Sequence, residues 1–272
     1  MREVITMWKY TRMVVLVALT AALYAAVLIP FKLLPLIPGI TELRPANVLP
    51  VICSLMFGPA AAWGSAFGNL IGDLLGGTSG LGSYFGMLGN FWYGYFPYRA
   101  WRTLSSSDPI PWSAGRLARY FIVSLLASLA CAVQISWGLD MLGFVPFHIL
   151  GPLIGLNNFV TASLLGPLLL PILYPRIKRW GLLYTDVMET EDLWGGRLPY
   201  LAHLFLWGAV LGGLILGIVI SLGVTESQTF TLNLPGGAHW SLSLSDIPRW
   251  GTSVGTSLMP LIGLLVVGAL LL

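Results

Sequence analysis

Ten residues of this chain have side chains that could meet and recognise a small polar molecule: Glu42, Arg44, Asn47, Asn69, Asp73, Asn90, Gln134, Trp137, Asn157 and Asn158. Each amide both donates and accepts, a carboxylate only accepts, and a guanidinium only donates. Such a set suits a heterocycle. Arg44 would meet an anionic group, while Asp73 and the amides would read ring donors and acceptors. Trp92, Tyr93, Trp137 and Phe159 are expected to supply flat apolar walls, as in pockets that are largely apolar with a few placed polar groups. The chemistry is recognition rather than catalysis. The sequence has no Walker A motif, no HExxH, no GxSxG and no paired Cys/His motif, so no recognised apparatus for ATP hydrolysis or metal-assisted hydrolysis is present. The chain reads as a non-enzyme without cofactor or metal.

Each member also has a plainer role. Asp73, shortly before Gly76-Gly77, would bond a loop backbone. Asn69 and Asn90 would link two helices through an interhelical hydrogen bond. One of Asn157 and Asn158 would cap a helix. Glu42 and Arg44 would form a solvated loop pair, and His148 would be a satisfied loop residue. The convergence of the set is a stronger observation than any single member.

The elements that must position these residues are membrane helices. Charged residues make up 9% of the chain and hydrophobic residues 56%, and the mean hydropathy is +0.82. Apolar runs long enough for a ~30 Å hydrocarbon core recur, and the short alternating strands of a membrane barrel are missing. Gly64, Gly68, Gly72 and Gly76 are four residues apart, as are Gly82, Gly86, Asn90 and Gly94. That spacing places small residues on one helix face, where backbones can approach closely. Cys53 and Cys131 lie within apolar runs without metal-ligand spacing and read as small packing residues.

Eight spans are expected: about 12–30, 46–58, 60–77, 83–98, 117–137, 157–175, 199–222 and 254–272. The first is too long for a signal-peptide core and is expected to be retained. Residues 141–155 contain Pro146, Gly151, Pro152 and Gly155 and read as a folded-back outer loop or short interfacial helix. With a cytoplasmic N-terminus and strict alternation, inner segments carry Arg2, Lys9, Arg12, Arg99, Arg102, Arg116, Arg119, Arg176, Lys178, Arg179 and Arg197. Outer segments carry only Lys32, Arg44 and Arg249, the asymmetry the positive-inside rule requires. Both termini are then cytoplasmic, in a multi-pass protein of the cell membrane. No basic cluster points to nucleic acid. The polar set falls in the outer half of the bundle, predicting an outward-facing pocket.

Residues 1–179 read as a six-span binding core, 180–198 as an acidic cytoplasmic linker with Asp186, Glu189, Glu191 and Asp192, and 199–272 as a two-span appendage. Its outer loop, 224–252, alternates apolar residues on either side of Pro235-Gly236-Gly237 and reads as an extracellular β-hairpin. The expected fold is thus an all-α polytopic membrane protein with six helices plus two.

The first span carries Ala18, Ala22 and Ala26. This AxxxA repeat resembles the first helix of substrate-binding S components of energy-coupling factor (ECF) vitamin transporters. The run Glu42-Leu43-Arg44-Pro45-Ala46-Asn47-Val48-Leu49-Pro50, then Phe57-Gly58-Pro59, Gly68-Asn69-Leu70-Ile71-Gly72-Asp73 and Gly86 to Tyr98, is similar to the QueT-like branch. The resemblance covers roughly 10–180; the last two spans depart from it. It implies capture of a vitamin or cofactor precursor outside, with the loop between spans one and two closing over it. A membrane T subunit would dock on Ala18, Ala22 and Ala26, and two ATPase subunits would drive release inward. The rival readings are a stand-alone secondary transporter or channel, and a membrane enzyme or assembly scaffold working through 180–272.

Overall fold

A computed structural model describes residues 1–31, 44–193, 200–223 and 254–272 in full. It describes the backbone alone at 35–37, 41–42, 199, 229–233, 239–243 and 253. The helices are α1 (Glu3–Thr6), α2 (Thr11–Phe31), α3 (Val48–Phe57), α4 (Pro59–Leu75), α5 (Leu81–Leu104) and α6 (Ala114–Met141). They continue with α7 (Phe147–Arg179), α8 (Tyr184–Val187), α9 (Pro199–Ser221), α10 (Ser253–Ser257) and α11 (Met259–Leu271). The described residues also include two strand pairs. Pro35–Ile37 (β1) pairs antiparallel with Thr41–Glu42 (β2), and Thr229–Asn233 (β3) with His239–Ser243 (β4). Side chains of the 224–252 loop lie outside the described residues.

Five described stretches are long and apolar enough to cross a membrane: Thr11–Phe31, Ala114–Met141, Phe147–Val187, Tyr200–Ser221 and Val254–Leu271. The protein is therefore a multi-pass membrane protein. The other three expected spans are less simple. The ten residues of α3 reach only about 15 Å, half of a ~30 Å core. A 3-10 turn at Pro45–Asn47 leads into α3, and Asn47 meets Tyr24 of α2, well inside the bundle. Gly58, at φ +53°, joins α3 to α4, and the Tyr184 ring lies where a Cβ would stand.

The glycine ladders set the packing. Gly64, Gly68 and Gly72 of α4 lie against Thr20, Tyr24 and Leu28 of α2, so these two helices run parallel. Gly94 of α5 rests on the Ala61 backbone of α4, and Gly89 on Ile135 of α6.

Residues 141–155 depart from the folded-back outer loop or short interfacial helix expected there. The connection is confined to the turn before Phe147, and α7 runs unbroken through Pro152, Pro167, Pro171 and Pro175. Two local features start it early. The Phe147 backbone N–H donates to Asp140 Oδ2 at 2.7 Å, satisfying a donor the helix start leaves unpaired. Gly151 packs on the Phe147 ring, and Gly155 faces Leu129 and Ala132 of α6. Neither Asn157 nor Asn158 caps the helix; both lie in its interior.

Candidate functional site

A cavity of about 340 Å³ lies at the end of the bundle where α4 turns into α5 and α6 into α7. Its floor is a buried layer of polar side chains. The Tyr24 hydroxyl donates to Asn90 Oδ1 at 2.9 Å and lies 3.2 Å from Asn47 Oδ1. Asn47 Nδ2 donates to Asn158 Oδ1 at 2.6 Å. Asn90 Nδ2 donates to the Gly86 carbonyl at 2.9 Å, and the Tyr93 hydroxyl to the Asn158 carbonyl at 3.1 Å. One hydroxyl proton shared between two amide oxygens leaves both with spare accepting capacity. A ligand N–H can use it.

The rim is looser. Asn69 Nδ2 donates to Asp73 Oδ2 at 3.3 Å, one helical turn away. The Thr78 hydroxyl lies 3.5 Å from Asp73 Oδ1, and the Thr78 amide donates to the Asp73 carbonyl at 3.0 Å. Asn69 fits because Gly86 faces it; a Cβ there would stand 2.8 Å from Asn69 Nδ2. Arg44 and Asp73 both line the cavity, so it holds one charge of each sign.

The structure thus brings Arg44, Asn47, Asn69, Asp73, Asn90, Asn157 and Asn158 around one space. Gln134 and Trp137 lie outside the lining. Gln134 is buried, and Trp137 turns away, donating its indole N–H to the Gly255 carbonyl of α10. The side chain of Glu42 lies outside the described residues. Trp92, Tyr93 and Phe159 do not form the expected flat walls; Ile135, Leu139, Phe144, Val145, Leu150 and Ile154 line the apolar side instead.

Tyr24 is the floor residue that sequence reasoning missed. Val17, Ala21, Tyr24 and Leu28 are buried at helical spacing, and this pattern marks the inward face of α2. Tyr24 is the one hydrogen-bonding side chain in that buried set. The outward face of the same helix carries Ala18, Ala22 and Ala26, all exposed. Among the described residues no cluster could hold a metal ion, and both cysteines are free and buried.

Several apolar helices surround a buried layer of amide side chains beneath a cavity, in a multi-pass membrane protein. The QueT transporter family matches residues 14–175, and the chain belongs to that family. It is a membrane transport protein. Neither the curated proteins nor the solved structures supply a significant match. The matched region contains every polar residue of the cavity floor and rim, while α9–α11 lie beyond it.

Proposed function

We propose that this protein is the substrate-binding S component of an ECF-type ATP-driven importer, capturing a small vitamin or cofactor precursor. The observation that carries the reading is the amide floor joining Tyr24, Asn47, Asn90 and Asn158 beneath a cavity with one carboxylate and one guanidinium. About 340 Å³ lies at the small end of ligand pockets, which run from roughly 300 to 1,000 Å³. A compact heterocycle such as a queuosine precursor suits it, and a corrinoid is too large. The cavity opens to the outside, both termini are cytoplasmic, and residues 1–179 form the six-helix core, with the loop 224–252 carrying an outer hairpin. A T subunit docks on Ala18, Ala22 and Ala26, whose exposure leaves that face free for a partner, and two ATPases power release.

Native mass spectrometry of the protein, purified gently from its own host, tests this reading. A complex containing a T subunit, two ATPases and a bound heterocycle is the expected result. A folded protein with neither ligand nor partner would overturn it.

A second observation favours stand-alone transport enough to test. A separate cavity of about 400 Å³ at the opposite end is lined by Leu55, Tyr98, Arg102, Asp108 and Tyr184, among others. Uptake of a labelled queuosine precursor by proteoliposomes containing this chain alone would support alternating access without ATPases. Uptake only with the full ATPase complex would exclude it.

A further inference from the structure

We infer that the last helices, α9 to α11, form a strut that holds the apolar wall of the binding cavity in place, with Phe147, His148, Gly217 and Ser221 as its positioning residues. Beyond Ile135, this wall is made by Leu139, Phe144, Val145, Leu150 and Ile154, on the end of α6, the turn after it and the first turns of α7. Several contacts tie this segment to the C-terminal helices. The backbone N–H of His148 donates to Ser221 Oγ at 3.2 Å, and His148 Nδ1 lies 2.9 Å from the same oxygen. One hydroxyl therefore fixes both the backbone and the ring of the second residue of α7. The adjacent Phe147 is fully buried, and its ring fills the space over Gly217, where an added Cβ would collide with it. Val133 of α6 sits over Gly213 one turn earlier, and Trp137 bonds the Gly255 carbonyl of α10.

The physical consequence concerns rigidity. Phe144 and Val145 lie on a short turn, and such connections are the mobile parts of a fold. Here the turn is bracketed by Asp140, which bonds the Phe147 amide, and by the His148–Ser221 contact. A wall held at both ends keeps its shape without ligand, and a preformed site avoids the ordering cost of binding. The family match ends at residue 175, so this strut is an addition beyond the matched part of the chain.

The inference rests on the cavity being the binding site, but its test needs neither transport nor a known substrate. Cys131 lines the cavity, and Cys53 is buried outside its lining. Aminoethyl methanethiosulfonate is the probe: the thiolate displaces methanesulfinate to form a mixed disulfide, read by peptide mass in the detergent-purified full chain. Gly217→Ala drives a methyl against Phe147 without a helix-propensity penalty, and Ser221→Ala removes the shared hydroxyl. Gly208→Ala, with nothing within 4 Å of its added Cβ, is the control on the same helix. We expect labelling of Cys131 to accelerate at least threefold in the two strut variants, with Gly208→Ala at the wild-type rate and Cys53 unlabelled throughout. Wild-type Cys131 rates in both strut variants would overturn the inference. So would parallel exposure of both cysteines, which would mean that the helices support the whole fold rather than this wall.

Discussion

Tyr24 shows how one hydroxyl can organise a site. It lies within hydrogen-bonding distance of amide oxygens from two other parts of the chain, Asn47 and Asn90. Tyr24→Phe removes the donor and leaves buried amides short of a partner, a loss of about 1–3 kcal/mol. We expect ligand affinity to fall about tenfold or more, as read by isothermal titration with the heterocycle that co-purifies. Unchanged affinity would remove the floor from the site. A second residue-scale test lies at the other end of the bundle. Glu3 and Arg99, 1% and 3% exposed, face each other at 3.4 Å, and the Tyr98 hydroxyl donates to the same carboxylate oxygen at 3.0 Å. Breaking a buried pair costs about 3–5 kcal/mol, while removing both charges costs far less. Glu3→Gln alone should therefore lower the unfolding midpoint in detergent more than Glu3→Gln with Arg99→Gln together. The reverse order would show that the pair contributes little.

At the scale of elements, the glycine ladders can be tested by adding single methyl groups. A Cβ on Gly94 would stand 2.6 Å from the Ala61 carbonyl oxygen and 2.9 Å from Ala62 Cα. Backbone cannot move aside as a flexible side chain can. Gly94→Ala should therefore separate α4 from α5 and destabilise the protein by about 1–3 kcal/mol, seen as a lower melting midpoint. Gly115, in the first turn of α6, has nothing within 4 Å; alanine there should leave stability unchanged or raise it by up to about 1 kcal/mol. The ladder was legible because four-residue spacing of small residues has one geometric meaning in a helix. The start of α7 was not. Its prolines and glycines read as an outer loop or short interfacial helix, and the Asp140 contact to the Phe147 amide and the packing of Gly151 and Gly155 show why the long helix begins there.

For the whole molecule, one helix serves two faces. The inward face of α2 carries Tyr24, and the outward face carries Ala18, Ala22 and Ala26. If the outer face receives a T subunit, Ala22→Trp should abolish ATP-driven uptake in cells while leaving ligand affinity within about twofold of wild type, because the substitution points away from the packed interface. Normal uptake by this variant would place the partner elsewhere. Read along the chain, residues after the acidic linker look like an addendum. In space, α9 packs against α6 and α7, and the Tyr95 hydroxyl of α5 donates to the Ala269 carbonyl of α11 at 3.1 Å.

The class of protein and much of the polar set are legible in the order of residues alone. Hydropathy, helical period and the cost of burying polar groups in lipid are local properties, readable residue by residue. They marked Arg44, Asn47, Asn69, Asp73, Asn90, Asn157 and Asn158 as exceptional in an apolar chain, and these line one cavity. Which neighbours complete that cavity depends on how the helices pack. Gln134 carries the same amide as the lining asparagines and Trp137 a donor N–H, yet both lie outside the lining, and Trp137 bonds α10. Leu150 and Ile154 have no distinguishing chemistry, yet they form its wall. The direction a side chain faces depends on the helices packed around it, and those contacts join residues far apart in the chain.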